Sequence, residues 1–144
     1  MRRQATLLLL TAMGAMLVLT LAACGGGSTS STEDAASGER YEAEASLVSL
    51  EGSGWQAVQT EGFPDTYAGV PQTGYLEATA PDGEPIDLQF FESPEDAQSE
   101  LEATEEQEAP FEGATIGNVL VFDPASETAA VAPENLEALR GLLS

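Results

Sequence analysis

The chain has 144 residues, 25 of them acidic and four basic, with neither lysine nor histidine, for a formal charge of −21. Such a surface repels nucleic-acid phosphates and anionic lipid headgroups, which excludes nucleic acid as a partner; it leaves cationic ligands, basic proteins or divalent ions open, while a simply solvated, self-repelling surface accounts for the acids more directly. Lack of histidine excludes Ser-His-Asp and Cys-His catalysis and imidazole metal sites, and lack of lysine excludes Schiff-base chemistry.

Met1-Arg2-Arg3 opens the chain with positive charge, and residues 5–23 follow without any charge. A basic head, an apolar middle and small residues before a cut describe a secretory signal. The run closes as Leu21-Ala22-Ala23-Cys24-Gly25, and Cys24 is the only cysteine. These residues resemble the bacterial lipobox at all four positions. The resemblance implies export by the Sec pathway, recognition of Leu21, Ala22 and Ala23 by signal peptidase II, and cleavage before Cys24. It further implies a diacylglyceryl thioether on Cys24, palmitate-type acylation of the freed amine, and a protein anchored to the extracytoplasmic side of the cell membrane. Only a thiol, reacting as thiolate, is nucleophilic enough for that modification. One acyl chain holds a bilayer only marginally, so two or three are needed.

Two blander readings compete. Nineteen apolar residues can just span a bilayer core. However, Gly14, Thr6, Thr11 and Thr20 dilute the run, and no stop-transfer positive charge follows it. An ordinary signal peptide with Cys24 as a bystander is the other. Arg2-Arg3 also suggests a twin-arginine signal, but no fuller motif follows. Cleavage would leave Arg40 and Arg140 as the remaining bases. Lipidation would leave no thiol for a disulfide, zinc or redox work, and no cofactor is expected.

Three regions are therefore expected: a signal peptide over residues 1–23, a lipidated, disordered tether over 24–44, and one α+β domain over 45–144. Gly, Ser, Thr and acids cannot bury a core, and about twenty such residues reach roughly 25 Å.

Residues 43–50 suit a short helix stopped by Gly52 and Gly54, although 46–50 could equally start a strand; the glycines favour the helix. Residues 55–60 suit a short edge strand. Residues 61–74 hold three glycines and two prolines and read as a loop. Its Phe63 and Tyr67, with Tyr75 just beyond, are candidate ligand contacts, although loop aromatics more often fold back onto a core. Two alternating segments, 75–80 and 86–91, flank Pro81-Asp82-Gly83-Glu84-Pro85, a strong hairpin signal, with Ile86, Leu88 and Phe90 on the core face.

Ser93-Pro94-Glu95-Asp96 starts a helix that runs to about Glu108, with a thin stripe of Ala97, Leu101 and Thr104. Residues 116–122 are the most apolar stretch after the signal and read as one central strand buried between layers. Pro133-Glu134-Asn135-Leu136 opens a last helix with Leu136, Leu139 and Leu143 on one face and Arg140 near its C-terminal end.

This order predicts a sheet of three or four strands with two or three helices packed on one face, as in a split βαβ or ferredoxin-like plait. The segments Phe90-Phe91-Glu92-Ser93-Pro94-Glu95-Asp96-Ala97 and Gly117-Asn118-Val119-Leu120-Val121 resemble those of small secreted lipoprotein domains of unassigned function. That resemblance implies no catalytic residues.

Nine acids fall within residues 92–112, and Glu95, Asp96, Glu102, Glu105, Glu106 and Glu108 could offer oxygens to calcium. A straight helix spreads carboxylates around a cylinder, whereas calcium needs oxygens converging on one point. Asp82-Gly83-Glu84-Pro85-Ile86-Asp87 lacks the ligand alternation of an EF-hand and reads as a turn, and Asp123-Pro124 with Glu127 reads as a turn after the central strand. No metal site is assigned. The expected function is a non-enzymatic binding or accessory module at the cell envelope, whose partner is an envelope protein or a cationic ligand. Weak calcium binding is the alternative, and carboxylate-based hydrolysis comes third.

Overall fold

Residues 38–143 are described here by a computed structural model; the signal, Leu21, Ala22, Ala23, Cys24 and most of the tether lie outside the described residues. Eight elements follow in order: α1 (Ala43–Gly52), β1 (Gln56–Gln59), β2 (Gln72–Thr79), β3 (Pro85–Phe91), α2 (Pro94–Gln107), β4 (Ala114–Ile116), β5 (Val119–Phe122) and α3 (Pro133–Leu142). The strands form one sheet in the order β1-β2-β3-β5-β4, and every neighbouring pair is antiparallel. The domain is thus α+β, with five strands rather than the three or four expected.

β3 and β4 are both antiparallel to β5, so they run parallel to each other with β5 between them. With α2 as the crossover this is a split βαβ unit. β1, β2 and β3 form a simple meander, so the second βαβ half of a ferredoxin-like plait is not built.

The extra strand comes from the stretch 116–122, which is two strands and not one. Ile116 pairs with Val119 across Gly117-Asn118, and Gly117 sits at φ +54°. A glycine at positive φ in a two-residue loop is what a tight hairpin needs. Asn118 makes the turn worth burying. Its Oδ1 accepts from the Tyr41 N–H at 2.6 Å, and its Nδ2 donates to the carbonyls of Tyr41 at 3.0 Å and Phe91 at 2.7 Å.

Those bonds also correct the boundary of the tether. Tyr41 packs against the core, Ala43 is buried, and Arg40 pairs with Glu92 at 3.2 Å, so the last residues of the expected spacer belong to the folded unit. Acidic, small-residue composition hides the one aromatic side chain that docks there.

Helices cover both faces of the sheet, not one. Leu76, Ala78, Ile86, Leu88, Phe90, Val119 and Val121 face α1 and α3 and pack with Leu50, Trp55, Leu139 and Leu143. Phe91 and Leu120 face the other way, onto Ala97 and Leu101 of α2. Adjacent side chains on a strand point to opposite faces, so Phe90 and Phe91, both fully buried, tie the two layers together. Each contributes about 1.5–3 kcal/mol by burial.

The ends of the helices follow their sequence signals. At the end of α1 the Gly54 N–H donates to Glu51 and the Trp55 N–H to Leu50, with Gly54 at φ +85°. This is a Schellman closure, and the Trp55 and Leu50 side chains share the core as that motif favours. At the start of α2 the Ser93 hydroxyl accepts from the Asp96 N–H, and Pro94 occupies the first turn.

Candidate functional site

Strand alternation sends Tyr75, Glu77, Asp87 and Gln89 to the sheet face that carries α2. α2 lies over β3, β5 and β4, and leaves the β2 side of that face to the loop before β2. Between loop, helix and sheet lies a cleft of about 230 Å³ lined by Pro64, Asp65, Tyr67, Tyr75, Asp87, Gln89, Glu100, Thr104, Glu108, Phe111, Leu120 and Phe122. It gathers Tyr67 and Tyr75 and leaves Phe63, which is nearly half exposed, outside its lining.

The cleft is held in shape by carboxylates. Ala97, Glu100, Leu101 and Thr104 are the buried residues of α2, spaced i, i+3, i+4 and i+7, so the buried stripe of this helix includes an acid. Glu100 is only 2 % exposed. Its Oε1 accepts from the Tyr67 N–H at 2.9 Å and its Oε2 from the Ala68 N–H at 2.8 Å. A buried charge is tolerated when it is hydrogen-bonded in this way, and the two bonds fasten the loop to the helix. The Tyr67 hydroxyl adds a short bond to Glu108 Oε1, which together with the nearby charge raises the Tyr67 phenol above its ordinary pKa.

On the sheet, Tyr75 lies opposite Gln89 and Glu77 opposite Asp87, which makes Tyr75 and Asp87 diagonal neighbours. The Tyr75 O–H donates to Asp87 Oδ2 at 2.5 Å. Burial, followed by this bond, pushes the Tyr75 phenol well above its ordinary range. Burial likewise raises the Asp87 carboxyl; the Tyr75 bond opposes that rise, and repulsion from Glu77 and Asp123 adds to it. Gln89 is 7 % exposed, and its Oε1 is buried without a hydrogen-bond partner. Phe111 and Phe122 form the apolar end, their rings 5.8 Å apart at 54°.

Sequence reasoning does not single out Asp87, Gln89 and Glu100 as cleft residues. The signals are present: an acid at i+3 from Ala97 on the buried stripe, and polar residues alternating with Ile86, Leu88 and Phe90. They need the second layer on that sheet face to acquire meaning.

Three of the other acidic candidates, Asp82, Glu84 and Asp123, make structural contacts. Asp82 Oδ2 and Glu84 Oε2 accept from Asn135 Nδ2 at 3.0 and 2.6 Å, and Glu84 Oε1 accepts from the Ala132 N–H at 2.9 Å. The hairpin turn therefore holds the N-terminus of α3, where negative charge suits the helix dipole. The Glu84 N–H, then the Asn135 amide, hold the Asp82 carboxyl below its ordinary pKa. Asp123 accepts from the Ala125 N–H at 2.7 Å within a turn. Among the described residues no three acids gather closely enough to hold a metal ion, and no helix is long and apolar enough to cross a membrane. No known family, curated protein or solved structure matches the chain.

Proposed function

We propose that this chain is a lipid-anchored extracytoplasmic accessory protein, held at the cell membrane through Cys24, that binds a ligand in the cleft between α2 and the sheet without transforming it. The observation that carries the anchoring is Leu21-Ala22-Ala23-Cys24 behind an uncharged run. The binding role is supported by the cleft in which candidate contacts Tyr67 and Tyr75 meet the buried carboxylate of Glu100 and the half-buried one of Asp87. In this reading the residues between Cys24 and Tyr41, which docks on the domain, serve as the spacer.

The test is mass spectrometry of the mature protein together with cell fractionation. The expected outcome is an N-terminal Cys24 carrying diacylglyceryl, and a Cys24→Ala variant that leaves the membrane fraction. An unmodified Cys24 overturns the anchoring.

Asp87 favours a second reading, carboxylate-based hydrolysis, because a half-buried acid with a raised pKa is suited to donate a proton. Against it, Glu100 and Glu108 of the same cleft are already engaged by Tyr67 and Ala68. Turnover of chromogenic glycosides that is abolished by Asp87→Asn would support hydrolysis over binding. Calcium binding has no converging set of carboxylates among the described residues to favour it.

A further inference from the structure

We infer that the cleft binds a small organic cation, an ammonium or guanidinium on a short apolar stem; the inference rests on the binding role proposed above. Its basis is the balance of donors and acceptors. The hydroxyls that line the cleft each already donate inside the protein: Tyr75 to Asp87, Tyr67 to Glu108, and Thr104 to the Glu100 carbonyl. The loop amides of Tyr67 and Ala68 are likewise committed to Glu100.

What the site retains is acceptor capacity. Asp65, Asp87, Glu100 and Glu108 line it with no base among the described lining residues. Each ionised carboxylate has about four lone-pair positions, more than its internal bonds fill. Gln89 Oε1 adds a buried carbonyl with no donor at all. This is the observation that acidity alone does not supply: an acceptor more than nine-tenths buried in the cleft wall and left unpaired, in a protein that satisfies nearly every other buried polar side chain among the described residues.

The Gln89 amide N–H₂ is the one donor of the described lining side chains without a bond inside the protein; against four carboxylates it leaves acceptors in clear excess, so a ligand suited to such a site brings chiefly donors. An ammonium offers three donors and a guanidinium five, and neither accepts. Phe111, Leu120 and Phe122 would pack on the stem, and the faces of Tyr67 and Tyr75 are available to the positive head. A bare divalent ion fits less well, since it needs six or more oxygens converging on a point. The volume of about 230 Å³ falls short of the roughly 300–1,000 Å³ of drug-sized sites, which limits the ligand to a small one.

Agmatine, a guanidinium and an ammonium joined by four carbons, is the probe. Calorimetry on the full chain in 150 mM NaCl should show saturable one-to-one binding. Gln89→Leu and Asp87→Asn should each weaken it tenfold or more. Glu95→Gln and Glu105→Gln, which remove the same charge from α2 outside the cleft, should leave it within twofold. Gln89→Leu deletes an oxygen that makes no bond, so it keeps the fold, as circular dichroism will check. Binding absent in 150 mM NaCl, or weakened equally by the charge removals inside and outside the cleft, overturns the inference in favour of diffuse attraction to an acidic surface. Should agmatine fail while Cys24 carries its lipid, the ligand class falls and the anchoring stands. Specific agmatine binding by a chain whose Cys24 is unmodified has the opposite meaning: the cleft keeps its ligand class and the anchoring falls.

Discussion

Glu100 shows how one residue can fix a site. Its two oxygens hold the backbone amides of Tyr67 and Ala68, so the carboxylate acts as a staple between α2 and the loop that roofs the cleft. Glu100→Ala leaves two amides without their acceptor and a void on the buried stripe. We expect a loss of about 3 kcal/mol in urea denaturation, since each hydrogen bond to a charged group contributes roughly 1.5–3 kcal/mol. Limited proteolysis should cut the loop of this variant before any other segment; equal resistance of loop and helix would show that the bonds do not hold the roof. Helical spacing already places this acid beside Ala97 and Leu101. Nothing in the sequence signals that its partners are two amides more than thirty residues upstream.

At the scale of elements, local signals are most readable where they are chemical. Ser93 and Pro94 announce the start of α2, Gly54 the end of α1, and Asp82-Gly83 the β2–β3 hairpin, because each position demands a particular side chain or backbone angle. The β4–β5 hairpin escapes a sequence reading because Ile, Val, Leu and Phe on both sides of Gly117-Asn118 read as one uninterrupted apolar strand. A glycine followed by asparagine inside an apolar run is itself a turn signal, and the burial of Asn118 explains why it is needed. That side chain joins β3, the β5 turn and the chain entering α1 through three hydrogen bonds. Asn118→Ala should cost about 3 kcal/mol by leaving buried backbone groups unpaired. Hydrogen exchange should then quicken at Tyr41 and at the hairpin together. Exchange that quickens at the hairpin alone would mean that Tyr41 is held by packing and not by the amide.

At the scale of the whole molecule, charge dominates. Twenty-five acids against four bases repel one another in any compact state, and the ion pairs seen, Arg40 with Glu42 and Glu92 and Arg140 with Glu137, are exposed and weak. Added salt should therefore raise the unfolding midpoint, by about 5 °C between 10 mM and 500 mM NaCl, which corresponds to roughly 1 kcal/mol for a domain of this size.

Acid should act in the same direction at first. The folded pKa of Asp87 lies above its ordinary 3.8, so the folded chain binds that proton more readily than the unfolded chain. Stability then rises as pH falls through the folded value of Asp87 toward 3.8. Asp82, held below 3.8, works the other way and loses its contribution only at more acidic pH. Calorimetric scans from pH 7 down to pH 4 should show a midpoint that climbs, and Asp87→Asn should flatten that climb; a midpoint that falls steadily from pH 7 would contradict this account.

What the sequence alone determined was whatever depends on residue type and near neighbours: the charge, the missing imidazole chemistry, the caps, the first hairpin, the α+β class and the strand-helix-strand unit. Periodicity also identified which residues of β3 enter the main core, because alternation is a local rule. Tertiary structure alone decided that helices cover both faces, that Tyr41 docks on Asn118, and that Tyr67, Tyr75, Asp87, Gln89 and Glu100 meet at one cleft. Those facts depend on pairings between residues far apart in the chain. A carboxylate looks the same in sequence whether it faces water or holds two loop amides, and only the second layer of structure distinguishes the two.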